Sequence, residues 1–525
     1  MPLRFSPLPR DIDELTRMVL ALEAENAELR VHSALLKQLI FGRKSEKLAT
    51  IDQMQSVLDL GDLSDAPVAA NDDAAPEGEA KKRKCRSASR NIGALPKHLP
   101  RCEEVIEPES TACPCCSSPL HRIGEDIFEA LDVVPAVLRV IRTIRPKYAC
   151  RSCENTIVQA PARPRLTTGG MATTALVAHV VVSKFGWHLP LYRQSQIFAG
   201  QGIVLDRGTL GFWVERAAWW LKPLYDRLLV FIRSQPRVFC DETRLPRLDP
   251  GRGRTKICQL WAQAIDDRPW QGPAPPAVGY VFAESRGTDE VEVQLKSFGG
   301  VLQVDGYGAY KSLVKRRRKS NIGPLRLAFC LAHARRKFVE VVKSTGSPEA
   351  LAVIAIIAEI YRIEDRIRGE SAETRLAVRR AESAPIMAAL KDRLTGVMTE
   401  VSAKSALGKA IAYMLAHWSG LVVFLGDGRI EVDSNIVERS MKSVALTRKN
   451  ALFAGNARGG ETWAILASLI NTAKLNGLDP QTWLTDVLEK IVSGEVTINR
   501  LDELLPWTWK AKRDDRLDTT ERRAA

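Results

Sequence analysis

The stretch "VLQVDGYGAY", residues 301–310, contains a short apolar run that ends in a carboxylate. The run follows a Gly-Gly pair, and Asp305 and Gly306 come directly after it. A short apolar run bounded by glycines is typical of a buried strand. Because burying an unpaired charge costs free energy, we expect Asp305 to lie at the strand end, near water or a cation.

A second apolar run ends in the same way. In "VFCDET", residues 238–243, three apolar residues lead into Asp241. Two strands that end in carboxylates can place both acids on one side of a sheet, where they repel each other unless a divalent cation neutralises them. Further strand-like runs at 256–265, 277–285 and 325–338 predict an α/β sheet with an antiparallel edge.

Residues 431–446, "EVDSNIVERSMKSVAL", are the best source of a third acid. Apolar residues recur there at helical spacing and predict a buried stripe, formed by Val437, Met441 and Val444. Glu438 lies beside this stripe. For this segment alone a solvated polar helix face is the better interpretation, and Glu431 and Asp433 are alternative acids. The two strand-end aspartates, in a basic protein, favour Glu438.

Three such carboxylates can hold two Mg²⁺ ions (or Mn²⁺), which activate water or a 3′-hydroxyl and stabilise the leaving oxygen of an in-line displacement. This is the chemistry of nucleases, polymerases and transposases. Basic side chains near the acids and in the region before them are candidate DNA contacts. We predict that these are Arg207, Arg216, Arg439, Lys442, Arg448 and Lys449.

The composition agrees with a polyanionic partner. A net charge of +14, from 76 Lys+Arg and 62 Asp+Glu, suits nucleic acid, although a basic protein without such a partner is the alternative. A chain of 525 residues is too long for one core, so several domains are expected. No apolar run approaches a membrane span and the N-terminus lacks a signal-peptide pattern, so we expect no membrane partner and a cytoplasmic, nucleoid-associated protein.

Paired cysteines predict a structural metal site. The two C-x-x-C pairs are formed by Cys113, Cys116, Cys150 and Cys153. Four thiolates at this spacing can hold one tetrahedral Zn²⁺, and the strand-like sequence between the pairs fits a zinc ribbon. Incidental buried cysteines are the alternative, and Cys115 or His121 could compete as ligands. Cys330 and His333, in "CLAH", could bind metal or tie a strand end to a helix, and we favour the structural role.

The chain divides by pattern into six regions. Heptads with Leu15, Leu22, Leu29 and Leu36 predict a coiled-coil helix in residues 1–48 and a parallel homodimer, with a helix packed on its own domain as the alternative. A flexible linker, the zinc ribbon, a helix-turn-helix DNA-binding region, a catalytic core and a C-terminal helical region follow. Their predicted bounds are 49–95, 96–165, 166–232, 233–450 (with a helical insertion at about 339–428) and 451–525. The tryptophans of the helix-turn-helix region are expected in the core: Trp213, Trp219 and Trp220.

These motifs resemble the large transposase subunit of the insertion sequence 66 family over nearly the whole chain. The blocks that carry the resemblance are, in order, "FGRKSEKL", "CPCC", "IRPKYACRSCE", "LPLYRQSQIFA", "FCDET", "LQVDGYGAY", "FCLAHARRKF", "GRIEVDSNIVERSMK", "RKNALFAG" and "AKLNGLDP". The resemblance implies a multidomain α/β protein with a ribonuclease H-like catalytic core that contains an α-helical insertion. It implies an acidic triad at Asp241, Asp305 and Glu438 and zinc at the four cysteines.

The resemblance also implies a function and partners. A DDE transposase of this kind binds the terminal inverted repeats of its insertion sequence and target DNA, and cleaves and transfers DNA strands. Small accessory proteins encoded by the same element and a homodimer or higher synaptic oligomer are implied as partners. The alternatives are a catalytically inactive DNA-binding regulator derived from a transposase and a general ribonuclease H-type nuclease.

Overall fold

The computed structural model describes residues 138–149, 157–167, 169–249, 251–320 and 325–524. Contacts divide the chain into two compact units, Met1–Ile141 and Arg142–Ala525, and every helix and strand described below belongs to the second. The predicted coiled-coil helix, the linker and the four predicted zinc ligands lie outside the described residues.

A short antiparallel hairpin comes first. Its strands, β1 (Lys147–Ala149) and β2 (Ile157–Gln159), pair in register. The Arg145 side chain donates to the Ala160 carbonyl over 2.9 Å, and the Gln159 side chain donates to the Arg145 carbonyl over 2.9 Å. In the sequence these strands flank the second cysteine pair.

A mixed sheet of five strands forms the centre of the second unit. Its strands are β3 (Arg237–Asp249), β4 (Arg254–Ile265), β5 (Ala277–Ala283), β6 (Gly300–Val304) and β7 (Leu325–Phe329). The spatial order is β5-β4-β3-β6-β7, in which β4 runs antiparallel to its neighbours β3 and β5 while β6 and β7 run parallel to β3. The predicted α/β sheet with an antiparallel edge is therefore confirmed.

Fifteen α-helices are present in the described residues. In chain order they are α1 (Thr174–Phe185), α2 (Leu191–Gly200), α3 (Arg207–Ser234), α4 (Thr288–Gln294), α5 (Gly308–Lys319), α6 (Leu331–Thr345), α7 (Pro348–Arg366), α8 (Ala372–Val378), α9 (Ala384–Glu400), α10 (Ala406–Ala416), α11 (Trp418–Leu421), α12 (Asn435–Ala451), α13 (Ala457–Leu475), α14 (Pro480–Ser493) and α15 (Pro506–Ala524). Helix α12 packs against β3 and β4, and α13 packs against β5. The sheet is thus covered by elements that lie far from it in the sequence.

The free edge of β5 is sealed by two hydroxyl side chains of α13. Ser468 accepts a hydrogen bond from the Tyr280 N–H over 2.7 Å. Thr472 accepts from the Val278 N–H over 3.1 Å and donates to the Val278 carbonyl over 2.9 Å. The helix therefore takes the place of a neighbouring strand and satisfies backbone groups that an exposed edge would offer to other chains.

Helices α2 and α3 occupy the region predicted as a helix-turn-helix. Asp206 caps α3, as its sequence position predicts, because its carboxylate accepts a hydrogen bond from the Gly208 N–H. Helix α3 continues for 28 residues, and its apolar side packs against α1, α13 and β5. Trp213 is buried as expected, but the expectation for Trp219 was wrong, since that residue is 58% exposed.

A buried ion network joins the helical segment between β7 and α12 to the sheet. Arg375 lies 2.8 Å from Glu431, and Arg379, in a π-helical turn after α8, lies 2.6 Å from Glu364. Arg237, the first residue of β3, approaches Glu431 to 4.0 Å. Removing one partner of such a pair leaves a buried charge and costs about 3–5 kcal/mol, so this network fixes the segment that leads into α12.

No single helix in the described ranges has the length and apolar character to cross a membrane. One bent pair, Ala406–Ala416 with Trp418–Leu425, meets that test by length and composition only.

Candidate active site

Neighbouring parallel strands carry the two predicted aspartates. The register pairs Phe239 of β3 with Gln303 of β6. Asp241 and Asp305 each lie two residues beyond that pair, so the pleat directs both to the same side of the sheet at the same level. Each carboxylate accepts a backbone hydrogen bond over 2.8 Å, Asp241 from the Glu242 N–H and Asp305 from the Tyr307 N–H.

The electrostatics of Asp241 show that it shares its surroundings with other acids. Burial and the adjacent Glu242 carboxylate raise the pKa of Asp241 to about 7. The charges of Asp305 and Glu438 raise the pKa further, while the hydrogen bond from the Glu242 N–H opposes these effects. A cation bound among these groups would remove the cause of the repulsion.

Glu438 lies in the first turn of α12, the helix that packs on β3 and β4. Its Oε1 atom accepts a hydrogen bond from the Ser434 hydroxyl over 3.3 Å and lies 3.4 Å from His333 Nδ1. Arg336 Nη2 lies 3.9 Å from Oε2. The side chain remains 27% exposed, so Glu438 is accessible to solvent-borne ligands.

The two alternative third acids have other partners. Glu431 is buried in the ion network, and although burial raises its pKa, the charges of Arg375 and Arg237 bring it below its usual value. Asp433 is 3% exposed and accepts hydrogen bonds from the backbone and the side chain of Asn435 over 3.0 and 2.8 Å. Of the three candidates, Glu438 is the one whose charge acts on Asp241.

Sequence reasoning missed a carboxylate–guanidinium pair beside the aspartates. Arg286 donates through Nε to Glu242 over 2.7 Å, and its guanidinium lies 3.9 Å from the centre of the Tyr307 ring. The Tyr307 hydroxyl in turn donates to the Arg286 carbonyl over 2.9 Å. This arrangement braces the residues that follow Asp241 and Asp305. The sequence signal that could have pointed to this pair was the Asp-Glu dipeptide in "FCDET".

Sequence reasoning also missed contacts to Asp305 from the helical segment between β7 and α12. The Tyr413 hydroxyl, at the end of α10, donates to the Asp305 carbonyl over 3.0 Å. Gly306 has a φ of +99°, and a Cβ there would lie 3.0 Å from the His417 ring. Lys311 Nζ lies 2.7 Å from His417 Nε2. Residues about a hundred positions away in the sequence therefore contact the turn after Asp305, and no local sequence pattern could reveal these contacts.

The predicted DNA contacts fall into two groups. Arg207 and Arg216 lie on α3, where their guanidiniums pack over the Tyr192 and Trp219 rings at 5.8 and 4.5 Å. Both rings are more than half exposed, so this face offers charge and aromatic surface together.

The other four lie on α12. Lys442 and Lys449 are exposed. Burial lowers the pKa of Arg439, and its Nη1 atom is buried without a hydrogen bond. Arg448 donates through Nη1 to the Thr243 hydroxyl over 3.0 Å and to the Arg244 carbonyl, so it ties α12 to β3.

Cys330 and His333 lie at the start of α6. The Cys330 sulfur, which is buried, accepts a hydrogen bond from the Ser434 N–H over 3.3 Å and so connects the end of β7 to the start of α12. This contact involves Cys330 alone, and the structural role expected for the pair stays a prediction.

Regions that match known protein families cover most of the chain. Family models match in four places, with the descriptions "Transposase IS66 family" (169–462), "zinc-finger binding domain of transposase IS66" (110–154), "IS66 C-terminal element" (468–507) and "Transposase C of IS166 homeodomain" (28–104). The second of these ranges contains all four predicted zinc ligands.

Three curated relatives from Sinorhizobium fredii (strain NBRC 101917 / NGR234) are similar over most of their length. The uncharacterized protein y4jD is 68% identical over 97% of this chain and 99% of its own. The uncharacterized protein y4qI is 40% identical over 97% and 99%, and the uncharacterized protein y4hP is 37% identical over 92% and 88%.

Proposed function

The chain belongs to the IS66 transposase family, and from this premise we propose that it is a DDE transposase that binds the terminal inverted repeats of its element and catalyses metal-dependent DNA cleavage and strand transfer. The observation that carries the proposal is that acids from separate elements, Asp305 and Glu438, lie within electrostatic range of Asp241. Asp241 and Asp305 leave neighbouring strands at one level, and the charge of Glu438 reaches Asp241 from α12. A mixed sheet with the first acid on its central strand supports the ribonuclease H-like core.

The donor set fits Mg²⁺ or Mn²⁺. All three proposed ligands are carboxylates, and hard oxygen donors suit these ions. Bound there, the ions would act as Lewis acids that activate the attacking hydroxyl and stabilise the leaving oxygen. Asp241, Asp305 and Glu438 would hold the ions. The backbone N–H groups of Glu242 and Tyr307 orient the two aspartates before any ion arrives.

Basic residues outside the acids would hold the DNA. Lys442 and Lys449 are exposed on α12, close in sequence to Glu438, and Arg207 and Arg216 lie on α3. Such residues neutralise phosphates and position the duplex, whereas the acids carry the chemistry. Binding and cleavage should therefore respond to different substitutions.

We also infer the remaining parts of the assembly. One structural Zn²⁺ at Cys113, Cys116, Cys150 and Cys153 would have four thiolate ligands and no open position for chemistry. The heptads would dimerise the chain, and synapsis of two element ends would require such an oligomer together with the small accessory proteins of the element. The protein would act on DNA in the cytoplasm, at the nucleoid.

Nicking of a labelled terminal inverted repeat in Mg²⁺ tests the proposal. Asp305→Asn and Glu438→Gln should abolish nicking while each protein still shifts the repeat in a binding assay, because the amide keeps the shape and removes the charge that holds the cation. Glu340→Gln, an exposed acid on α6, is the matched control and should nick like the parent.

Three outcomes would contradict parts of the proposal. If Glu438→Gln nicks normally and Asp433→Asn does not, the third acid is wrongly assigned. If every variant nicks like the parent, the carboxylate site is wrong. A parent that binds the repeat and never nicks it would instead be the inactive regulator.

A further inference from the structure

A thiol, an imidazole and a carboxylate converge where α6 meets α12. Cys330 precedes α6, His333 lies in the first turn of that helix, and Glu438 lies in the first turn of α12. One ligand atom from each lies within 4.8 Å of the other two. Among the described His, Cys, Asp and Glu side chains, only this trio meets that distance, so Asp241 and Asp305 do not form such a group with Glu438.

Two features of the trio favour a bound ligand. His333 Nδ1 is buried without a hydrogen bond, although it lies 3.4 Å from Glu438 Oε1. Ser434 fixes the other two members, since its N–H donates to the Cys330 sulfur and its hydroxyl donates to Glu438 Oε1, both over 3.3 Å. Hydrogen bonds of this kind orient the ligands of metal sites.

We propose that Cys330, His333 and Glu438 form a second zinc site, distinct from the four-cysteine site. One sulfur, one nitrogen and one oxygen ligand suit Zn²⁺, and the thiolate selects it over Mg²⁺. Binding would release the Cys330 thiol proton to solvent. His333 and Glu438 are 23% and 27% exposed, which leaves room for a water as the fourth ligand and for exchange of the ion.

The site would inhibit cleavage, because a Glu438 carboxylate already bound to zinc is a weaker ligand for Mg²⁺. Zinc held by Cys330 and His333 would retain the Glu438 carboxylate and so compete with its binding of Mg²⁺. This consequence rests on the proposed function, whereas the zinc site itself does not. The two parts are therefore tested separately.

Cobalt titration of the full-length protein tests the site without DNA. Co²⁺ bound by a thiolate absorbs in the near ultraviolet, so protein whose four-cysteine site is already filled with Zn²⁺ should gain such a band. Cys330→Ser should lose the band, and Cys258→Ser, a buried free cysteine on β4, should keep it.

A second variant covers the case in which Cys330→Ser does not fold. His333→Gln should weaken Co²⁺ binding at least about tenfold, since even outer partners of metal ligands are worth about 10–100-fold. A parent without the band, or a band that survives both substitutions, overturns the site.

Nicking in Mg²⁺ tests the competition. Free Zn²⁺ beyond the amount that fills the four-cysteine site should slow the parent, and Cys330→Ser should be at least tenfold less sensitive, each rate being compared with that of the same protein without added zinc. Equal sensitivity would overturn the competition. If the cobalt band is present and no protein nicks, the zinc site stands and the proposed function fails.

Discussion

Replacing Asp241 with asparagine should stabilise the protein in the absence of divalent cations and abolish the proposed cleavage. The pKa of Asp241 is about 7 in the folded protein, against a usual 3.8, chiefly because of burial. The folded state therefore binds the proton more tightly than the unfolded state. The free energy of unfolding therefore carries no penalty from Asp241 below pH 3.8. It falls as the pH rises from 3.8 to about 7, where the carboxylate ionises in the folded protein, and it stays at the reduced value above that pH.

The size of the effect follows from the same shift. Each pKa unit corresponds to about 1.4 kcal/mol, so the ionised carboxylate costs at most about 4 kcal/mol above pH 7. The amide removes that charge, and its oxygen can still accept the hydrogen bond from the Glu242 N–H. We expect a gain of about 2–4 kcal/mol, or about 3–6 °C in the melting temperature of a unit this large.

Thermal unfolding of the full-length protein in magnesium-free buffer measures this gain. The difference between Asp241→Asn and the parent should widen as the pH rises from about 5 to about 8.5. Mg²⁺ should raise the melting temperature of the parent at the higher pH and leave that of the variant almost unchanged. Asp226→Asn, which removes an exposed ion pair with Lys222, is the control and should shift stability by less than about 1 kcal/mol. A destabilised Asp241→Asn protein, or a difference independent of pH, would refute the reasoning.

Three further predictions concern the supports of the site and the fold. Tyr413→Phe removes the hydrogen bond to the Asp305 carbonyl and should raise the Mg²⁺ concentration for half-maximal nicking by about 2–12-fold, the equivalent of about 0.5–1.5 kcal/mol; an unchanged Mg²⁺ titration would contradict it. Thr472→Val leaves the Val278 backbone groups without their partner and should cost about 1–3 kcal/mol in urea unfolding, so an unaltered midpoint would count against the sealed edge. Cys113→Ser should lower the bound zinc by about one ion per chain in metal analysis, and an unchanged zinc content would exclude this ligand set.

The strands and their acids could be predicted because their signals are local. Asp241 and Asp305 each end an apolar run, and the parallel register that aligns them follows once both runs are strands of one sheet. The prediction of Glu438 depended on the buried stripe of a helix, and the sequence does not tell which elements that helix packs against. Glu431 could not be set aside from the sequence, since its arginine partners come from residues 375 and 237.

The supports of the site escaped prediction for the same reason. Tyr413 contacts Asp305 across 108 positions, and Arg286 meets Glu242 across 44. Neither contact leaves a periodic pattern, because each depends on how separate elements pack. Trp219 shows the opposite failure, since its apolar character predicts burial and its position on α3 places it in solvent.

The sealing of β5 by α13 has a consequence during synthesis of the chain. β5 ends at Ala283, whereas α13 ends at Leu475, so about 190 residues must still be translated before Ser468 and Thr472 can close the edge. At a synthesis rate of about 5–20 residues per second, the nascent chain carries an open strand for about 10–40 s. Ribosomes that follow one another on a message then hold several such edges close together. A chain truncated before α13 would keep its edge open permanently, and we expect it to aggregate rather than to persist as a competing fragment.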